Sequence, residues 1–248
     1  MAITIKETGP EETQTKLKVL VYGHPGVGKT TFAASGPGTL LVDVENGAGL
    51  LGLRGIKVDR TRIKTWSEMQ EVLEFCKTKK WQTVAIDPIG ELLDKLLQEL
   101  KLSGYGANKG DSLSLQGWGV AKEKFRKMLR DFRDLDMNVV LVAHSSEKKE
   151  EEALLVRPKL QASLDEDVCG MMDVVGYMKM DRVEKKNVRR LYVQPTEKYY
   201  AKDRTGALPE FVENATLPML LEKVAAQPNL HNMNVEAEKN LNEFEKGL

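Results

Sequence analysis

LKVLVYGHPGVGKTTFAAS, residues 17–35, runs from an apolar, β-branched stretch into a glycine-rich turn and on into a helix-forming stretch. The turn fits the spacing G-x-x-x-x-G-K-[ST], with Gly23 and Gly28 as its glycines, Lys29 as its cation and Thr30 as its hydroxyl. Residues 17–22 read as a buried strand, and TTFAAS reads as the first turns of a helix. Strand, glycine loop and helix in that order cradle a triphosphate. The glycines let several backbone N–H groups point inward, and the helix adds the positive end of its dipole. The expected ATP contacts are Gly23, His24, Pro25, Gly26, Val27, Gly28, Lys29, Thr30 and Thr31. Lys29 would pair with the β- and γ-phosphates, and Thr30 would ligate Mg2+.

At 248 residues the chain suits one α/β domain with short appendages and can bury a proper core. Its 37 Lys and Arg balance 37 Asp and Glu, so no global field draws the protein onto nucleic acid; any such contact must use local patches. Cys76 and Cys169 share no metal-like spacing and read as reduced, packed thiols of an intracellular protein. The opening MAITIKETGPEE lacks the order of a signal peptide, and no apolar run approaches a membrane span. A soluble, cytoplasmic protein is expected, with no membrane partner.

Beyond the glycine turn, TLLVDVENG (39–47) reads as a second core strand with Asp43 and Glu45 at its end. Acids at the carboxyl end of a parallel strand project toward the ligand crevice of an α/β sheet. Surface carboxylates are the other reading, but the run is too apolar for an edge strand, which favours a functional Glu45. RGIKVDR (54–60) suggests a short strand, followed by a helix over 67–78 with Ser67 as N-cap. WQTVAID (81–87) is an apolar strand ending in Asp87; downstream of the glycine loop it reads as the acid that holds the magnesium shell. ELLDKLLQELK (91–101) is the next helix. NVVLVAHSSEKK (138–149) is a fourth core strand ending at His144, whose imidazole either donates to the γ-phosphate or is simply satisfied at a strand end.

Residues 102–119 are polar and glycine-rich and predict a mobile loop, ahead of an amphipathic helix over 120–135. Tyr105, Lys109 and Trp118 on that loop could stack on and follow a single nucleic-acid strand, or the loop could be a solvated connector. Residues 147–167 mix charges around Arg157 and Lys159 and predict a second mobile loop before a short helix over 164–172. Residues 173–195 predict a hairpin turning at 184–187. From Lys179 to Arg204 nine Lys and Arg stand against four Asp and Glu, the only strongly basic block. Lys202 and Arg204 flank Asp203 before a Thr-Gly turn and could reach an anionic site on an adjacent subunit, or be ordinary surface cations. A last helix is expected over 217–226. The domain plan is an arm (1–16), a core (17–226) and a polar tail (227–248).

In that order GHPGVGKTT, LLVDVENG, TVAID, VVLVAH and AKDRTG resemble the ATPase core of RecA/RadA-type recombinases. More narrowly they resemble the small phage-encoded, core-only versions that act in single-strand annealing. The resemblance spans roughly residues 17–212 and implies a RecA-like P-loop NTPase core, an α/β fold with a mostly parallel central sheet flanked by helices. It implies that Lys29 and Thr30 hold the phosphates and magnesium, Glu45 activates the attacking water, and Asp87 holds the magnesium shell. His144 stands where recombinases place a γ-phosphate-sensing glutamine. Lys202 and Arg204 match a basic turn that reaches a neighbour's ATP. The two loops, with Tyr105, Lys109, Trp118, Arg157 and Lys159, fall where the family contacts DNA.

The expected activity is a DNA-stimulated ATPase that binds Mg-ATP between subunits of a homo-oligomeric filament or ring and handles single-stranded DNA in recombination or annealing. A single-strand-binding protein is a candidate partner of the tail, and the host cytoplasm the site of action if the chain is phage-encoded. Three alternatives stand beside it: a hexameric helicase-type motor, a small-molecule phosphotransferase and a nucleotide-gated adaptor.

Overall fold

The structure, a computed structural model, describes residues 16–78, 80–106, 112–150, 153–161 and 163–226. All but the last residue of the expected arm, the whole tail 227–248 and Lys109 lie outside the described residues.

β1 (Lys18–Gly23) leads through the glycine loop into α1 (Lys29–Ala33), and β2 (Thr39–Asp43) follows. A 3₁₀ segment (Ala48–Arg54) precedes β3 (Asp59–Arg62), α2 (Met69–Lys77), β4 (Thr83–Asp87) and α3 (Ile89–Leu100). α4 (Leu115–Arg133) precedes β5 (Asn138–Glu150), β6 (Ala153–Pro158) and α5 (Leu164–Met171). The chain closes with β7 (Val174–Val183), β8 (Lys186–Tyr192), β9 (Lys202–Asp203), β10 (Phe211–Glu213) and α6 (Leu217–Ala225).

One sheet runs in the order β10-β8-β7-β1-β5-β4-β2-β3, with β6 added to β5 and β9 to β7. From β7 to β3 every pairing along it is parallel. A parallel sheet needs cover on both faces, which is why its strands are apolar throughout. In β1, Leu20 and Tyr22 point into a core built with α2, α3, α4 and α5. Val19 and Val21 point the other way, to α1, the 3₁₀ segment and α6. Period-two alternation thus divides one strand between two cores. α4 seals the first with Ala121, Phe125, Met128, Leu129 and Phe132, a stripe at helical spacing. Burying each large side chain contributes roughly 1.5–3 kcal/mol.

The mostly parallel sheet, the four core strands and the hairpin at 184–185 agree with the sequence reading. Glu184 (φ 48°) and Lys185 (φ 67°) form a two-residue turn with both φ positive, which suits the right-handed twist of paired strands. Four expectations need correction. The short strand expected at 54–60 lies at Asp59–Arg62, because the leucines before it wind into the 3₁₀ segment and bury Ala48 and Leu51. α2 begins at Met69 rather than Ser67, whose hydroxyl instead donates to Glu99 at 2.8 Å. α4 begins at Leu115, five residues before the expected start, with the Ser114 hydroxyl accepting from Gly117 N. Gly117 was a misleading loop signal: a β-carbon there would stand 2.7 Å from Tyr105 O, so the glycine serves close packing. The second expected loop is mostly a hairpin, β5 running on to Glu150 and returning as β6, with Ser145 opposite Pro158 and Lys148 opposite Leu155.

Candidate nucleotide site

Four parallel strands deliver their carboxyl ends to one rim. β5 lies between β1 and β4, with Gly23 opposite His144, and β4 lies between β5 and β2, with Asp43 opposite Asp87. This order brings together side chains that are far apart in the chain.

Gly23 ends β1 against β7, where a β-carbon would stand 2.2 Å from the carbonyl oxygen of Met178. The loop then turns through Gly28 at φ 99°, a left-handed conformation that only glycine adopts without strain. Lys29 folds back under the loop, and its Nζ donates to Gly23 O at 2.9 Å and His24 O at 2.8 Å. Burial pulls the Lys29 ammonium below the ordinary lysine range, while the carboxylates of Asp87 and then Glu45 oppose that fall. Asp87, at the end of β4, is pushed up by burial and held down by hydrogen bonding with the Thr30 hydroxyl and by Lys29. The expected phosphate cation, magnesium hydroxyl and magnesium acid therefore touch or face one another.

The two acids of the second strand divide the work. Asp43 is buried and committed: it accepts from Gly47 N at 3.0 Å, Ala48 N at 3.1 Å and Arg60 Nη1 at 3.3 Å. It thereby shapes the turn that carries Glu45. Glu45 reaches across the rim to His144, with Oε1 and Nε2 3.0 Å apart. The imidazole expected to donate to a phosphate thus has its Nε2 on the carboxylate expected to activate water. Its Nδ1 is buried without a hydrogen-bond partner among the described residues.

ATP and magnesium fit these groups. The loop can wrap an anion, a buried lysine stands at its centre, and Thr30 beside Asp87 offers the sparse oxygen set that magnesium takes alongside phosphate oxygens. Among the described residues no group of three or more His, Cys, Asp or Glu side chains could hold a metal alone.

Lys202 and Arg204 stand elsewhere. β9 pairs with Val174 and Val175 at the start of β7, and Val174 lies opposite Val19. Gly23 is four residues further along β1, roughly 13 Å at a strand's rise. Lys202 Nζ donates to Cys169 O at 2.7 Å and Arg204 Nη2 to Gly170 O at 3.1 Å, a cationic cap on the last turn of α5.

The described residues expected to meet DNA stand in different settings. Tyr105 and Trp118 are half-buried and pack against the core. Arg157 stands 3.6 Å from Glu166 and 3.9 Å from the buried Asp165. Lys159 is exposed, with its N–H donating to His144 O at 2.8 Å.

Two residues at the site went unnoticed in the sequence. Arg54, at the end of the 3₁₀ segment, lines a cavity of about 160 Å3 with Lys29, Thr30 and Thr31. Arg189 reaches the phosphate loop from β8. The signal for it was period two: Arg189 shares a strand face with the buried Leu191.

The sequence profile of the AAA domain matches residues 15–205. Among solved structures, a KaiC-like protein, PH0186, from the hyperthermophilic archaeon Pyrococcus horikoshii OT3 is similar at 14% identity, over 71% of this chain and 77% of that one, with a TM-score of 0.43. No curated protein matches the chain. No helix among the described residues is long and apolar enough to cross a membrane.

Proposed function

The chain belongs to the AAA domain family, and from that premise we propose that it is a RecA-like P-loop ATPase that hydrolyses Mg-ATP through Glu45, assembles through its nucleotide sites and acts on single-stranded DNA. The observation that carries the reading is the Glu45–His144 contact at 3.0 Å, on the rim that also holds Lys29, Thr30 and Asp87. It supplies the feature that a bare nucleotide-binding fold lacks, a carboxylate held in place to take a proton from water.

In this reading Glu45 is the general base, and His144 is a positioning residue that fixes the carboxylate's direction. Lys29 and the loop N–H groups bind and orient the phosphates and face the charge that develops in phosphoryl transfer. Thr30 and Asp87 would hold magnesium, which when bound neutralises phosphate charge. Lys202 and Arg204 cap α5 in their own chain and serve the neighbour's nucleotide across an oligomer interface, in a filament or a ring. DNA coupling runs through β5, because the strand that carries His144 continues without a break into the β5–β6 hairpin, which returns to the exposed Lys159.

The test is phosphate release from Mg-ATP with and without single-stranded DNA. Turnover that rises several-fold on adding the strand, and disappears in Glu45→Gln, is expected. Turnover only with an added small-molecule acceptor refutes the hydrolase. Turnover indifferent to DNA refutes the coupling.

A further inference from the structure

The phosphate loop carries more positive charge than its own lysine supplies. Arg189 leaves β8 on the inward face, and its guanidinium lies against Gly28. A β-carbon built on Gly28 would stand 2.5 Å from Arg189 Nη1 and 3.2 Å from its Cδ. Arg54 lines the cavity beside the same loop, together with Gly28, Thr30 and Thr31. The two arginines sense each other: burial first, and then the Arg54 charge, push Arg189 below the usual arginine range.

No carboxylate among the described residues pairs with either guanidinium, and Arg189 Nε is buried without a hydrogen-bond partner among them. The next residue on β8 shows the contrast. Arg190 faces the opposite side and is neutralised by Glu213 at 2.6 Å and Asp181 at 3.9 Å. Two guanidiniums that repel each other beside a glycine-rich loop make a site for an anion, and a planar fork suits phosphate oxygens. Gly26, Gly28, Lys29, Thr30, Thr31 and Gly47 line that cavity with Arg54, and Asp87, Glu45 and His144 do not.

We infer that Arg54 and Arg189 form a same-chain clamp on the inner phosphates of a bound nucleoside diphosphate or triphosphate. Each copy then holds ADP by its own residues and needs a neighbour only for the terminal phosphate. This deepens the reading of the rim as a nucleotide site and rests on it.

The experiment is calorimetric titration of the full chain with ADP and with AMP, in wild type, Arg189→Gln and Arg54→Gln, alongside thermal unfolding with and without ADP. ADP affinity is expected to fall about tenfold or more in Arg189→Gln and several-fold in Arg54→Gln, as charge-assisted bonds to phosphate are lost. The preference for ADP over AMP should shrink with it. Without nucleotide, Arg189→Gln should unfold no earlier than wild type, because a like-charge repulsion is relieved. Wild type that binds ADP beside an Arg189→Gln variant within twofold of it overturns the clamp alone. So does an Arg189→Gln variant that loses stability but keeps its ADP affinity, which would make the arginine a packing residue. Arg54 is exposed, so Arg54→Gln keeps the test free of folding failure. Wild type that binds no ADP overturns both the clamp and the nucleotide site beneath it.

Discussion

Glu45→Gln and His144→Ala, made singly and together, isolate the contact on which hydrolysis is proposed to turn. The side chains of His144 and Glu45 are 30% and 40% exposed, so as an ion pair their 3.0 Å contact stabilises the fold by at most about 1 kcal/mol. The variants should therefore unfold within a few degrees of wild type. Catalysis is a different matter. A positioned general base contributes about 10²–10⁴-fold, which at about 1.4 kcal/mol per factor of ten is roughly 3–5 kcal/mol of barrier. Glu45→Gln keeps the shape and removes the proton acceptor, so phosphate release should fall by that factor. ADP affinity should change only a few-fold, since Glu45 acts on Lys29 through charge and less than Asp87 does. His144→Ala removes only the direction of the carboxylate, and misplacement by about 1 Å costs on the order of 10²-fold. If His144 works through Glu45, the double variant is no slower than Glu45→Gln alone, and the cycle reports a coupling equal to the whole His144 effect. The assay is steady-state phosphate release with Mg-ATP, with ADP binding and thermal unfolding as controls. Losses that simply multiply would refute the dyad, and Glu45→Gln turnover within threefold of wild type would remove Glu45 from the mechanism.

Two other outcomes follow from the structure. Copies carrying Glu45→Gln, mixed with copies carrying Lys202→Ala and Arg204→Ala, should regain about a quarter of wild-type turnover although each is inactive alone, because a head-to-tail interface can pair the intact half of each; no recovery at any mixing ratio would deny the cations a role across the interface. Lys18 is buried, with Nζ donating to Leu135 O at 2.7 Å, and burial pulls its pKa down to about 8 from the ordinary 10.5. Below about 8 both folded and unfolded chains hold this proton and the cost of the buried charge stands in full. Between about 8 and 10.5 the unfolded chain binds more protons, so wild-type stability should gain on that of Lys18→Met as pH rises. Urea unfolding of both proteins at about pH 7.5 and pH 9.5 checks it, and a constant gap would place the titration elsewhere.

Much of the fold was legible because its signals are local. A glycine spacing between an apolar strand and a helix names the loop, and short apolar runs ending in Asp43 or Asp87 name parallel core strands. The β5–β6 hairpin was not legible, because a ribbon that leaves the sheet carries charged residues that look the same as a solvated run. Nor was the start of α4, where a glycine required by the Tyr105 carbonyl imitates a loop residue. At the candidate site, the sequence picked out Lys29, Thr30, Glu45, Asp87 and His144 one by one. It said nothing of Glu45 and His144 touching.

The primary structure on its own therefore determined which residue types stand at the strand ends and that a polyphosphate suits the loop between β1 and α1. Strand order did the rest. Placing β5 between β1 and β4 brings His144 to the rim opposite Gly23 and within reach of Glu45, and packing β7 against β1 carries β8's Arg189 onto Gly28. The same register keeps Lys202 and Arg204 at the other end of the sheet, on α5. Spacing along a chain fixes what neighbours within a turn or a strand can do, whereas contacts between distant segments depend on which strands pair and in what register, and no local run of residues encodes that choice.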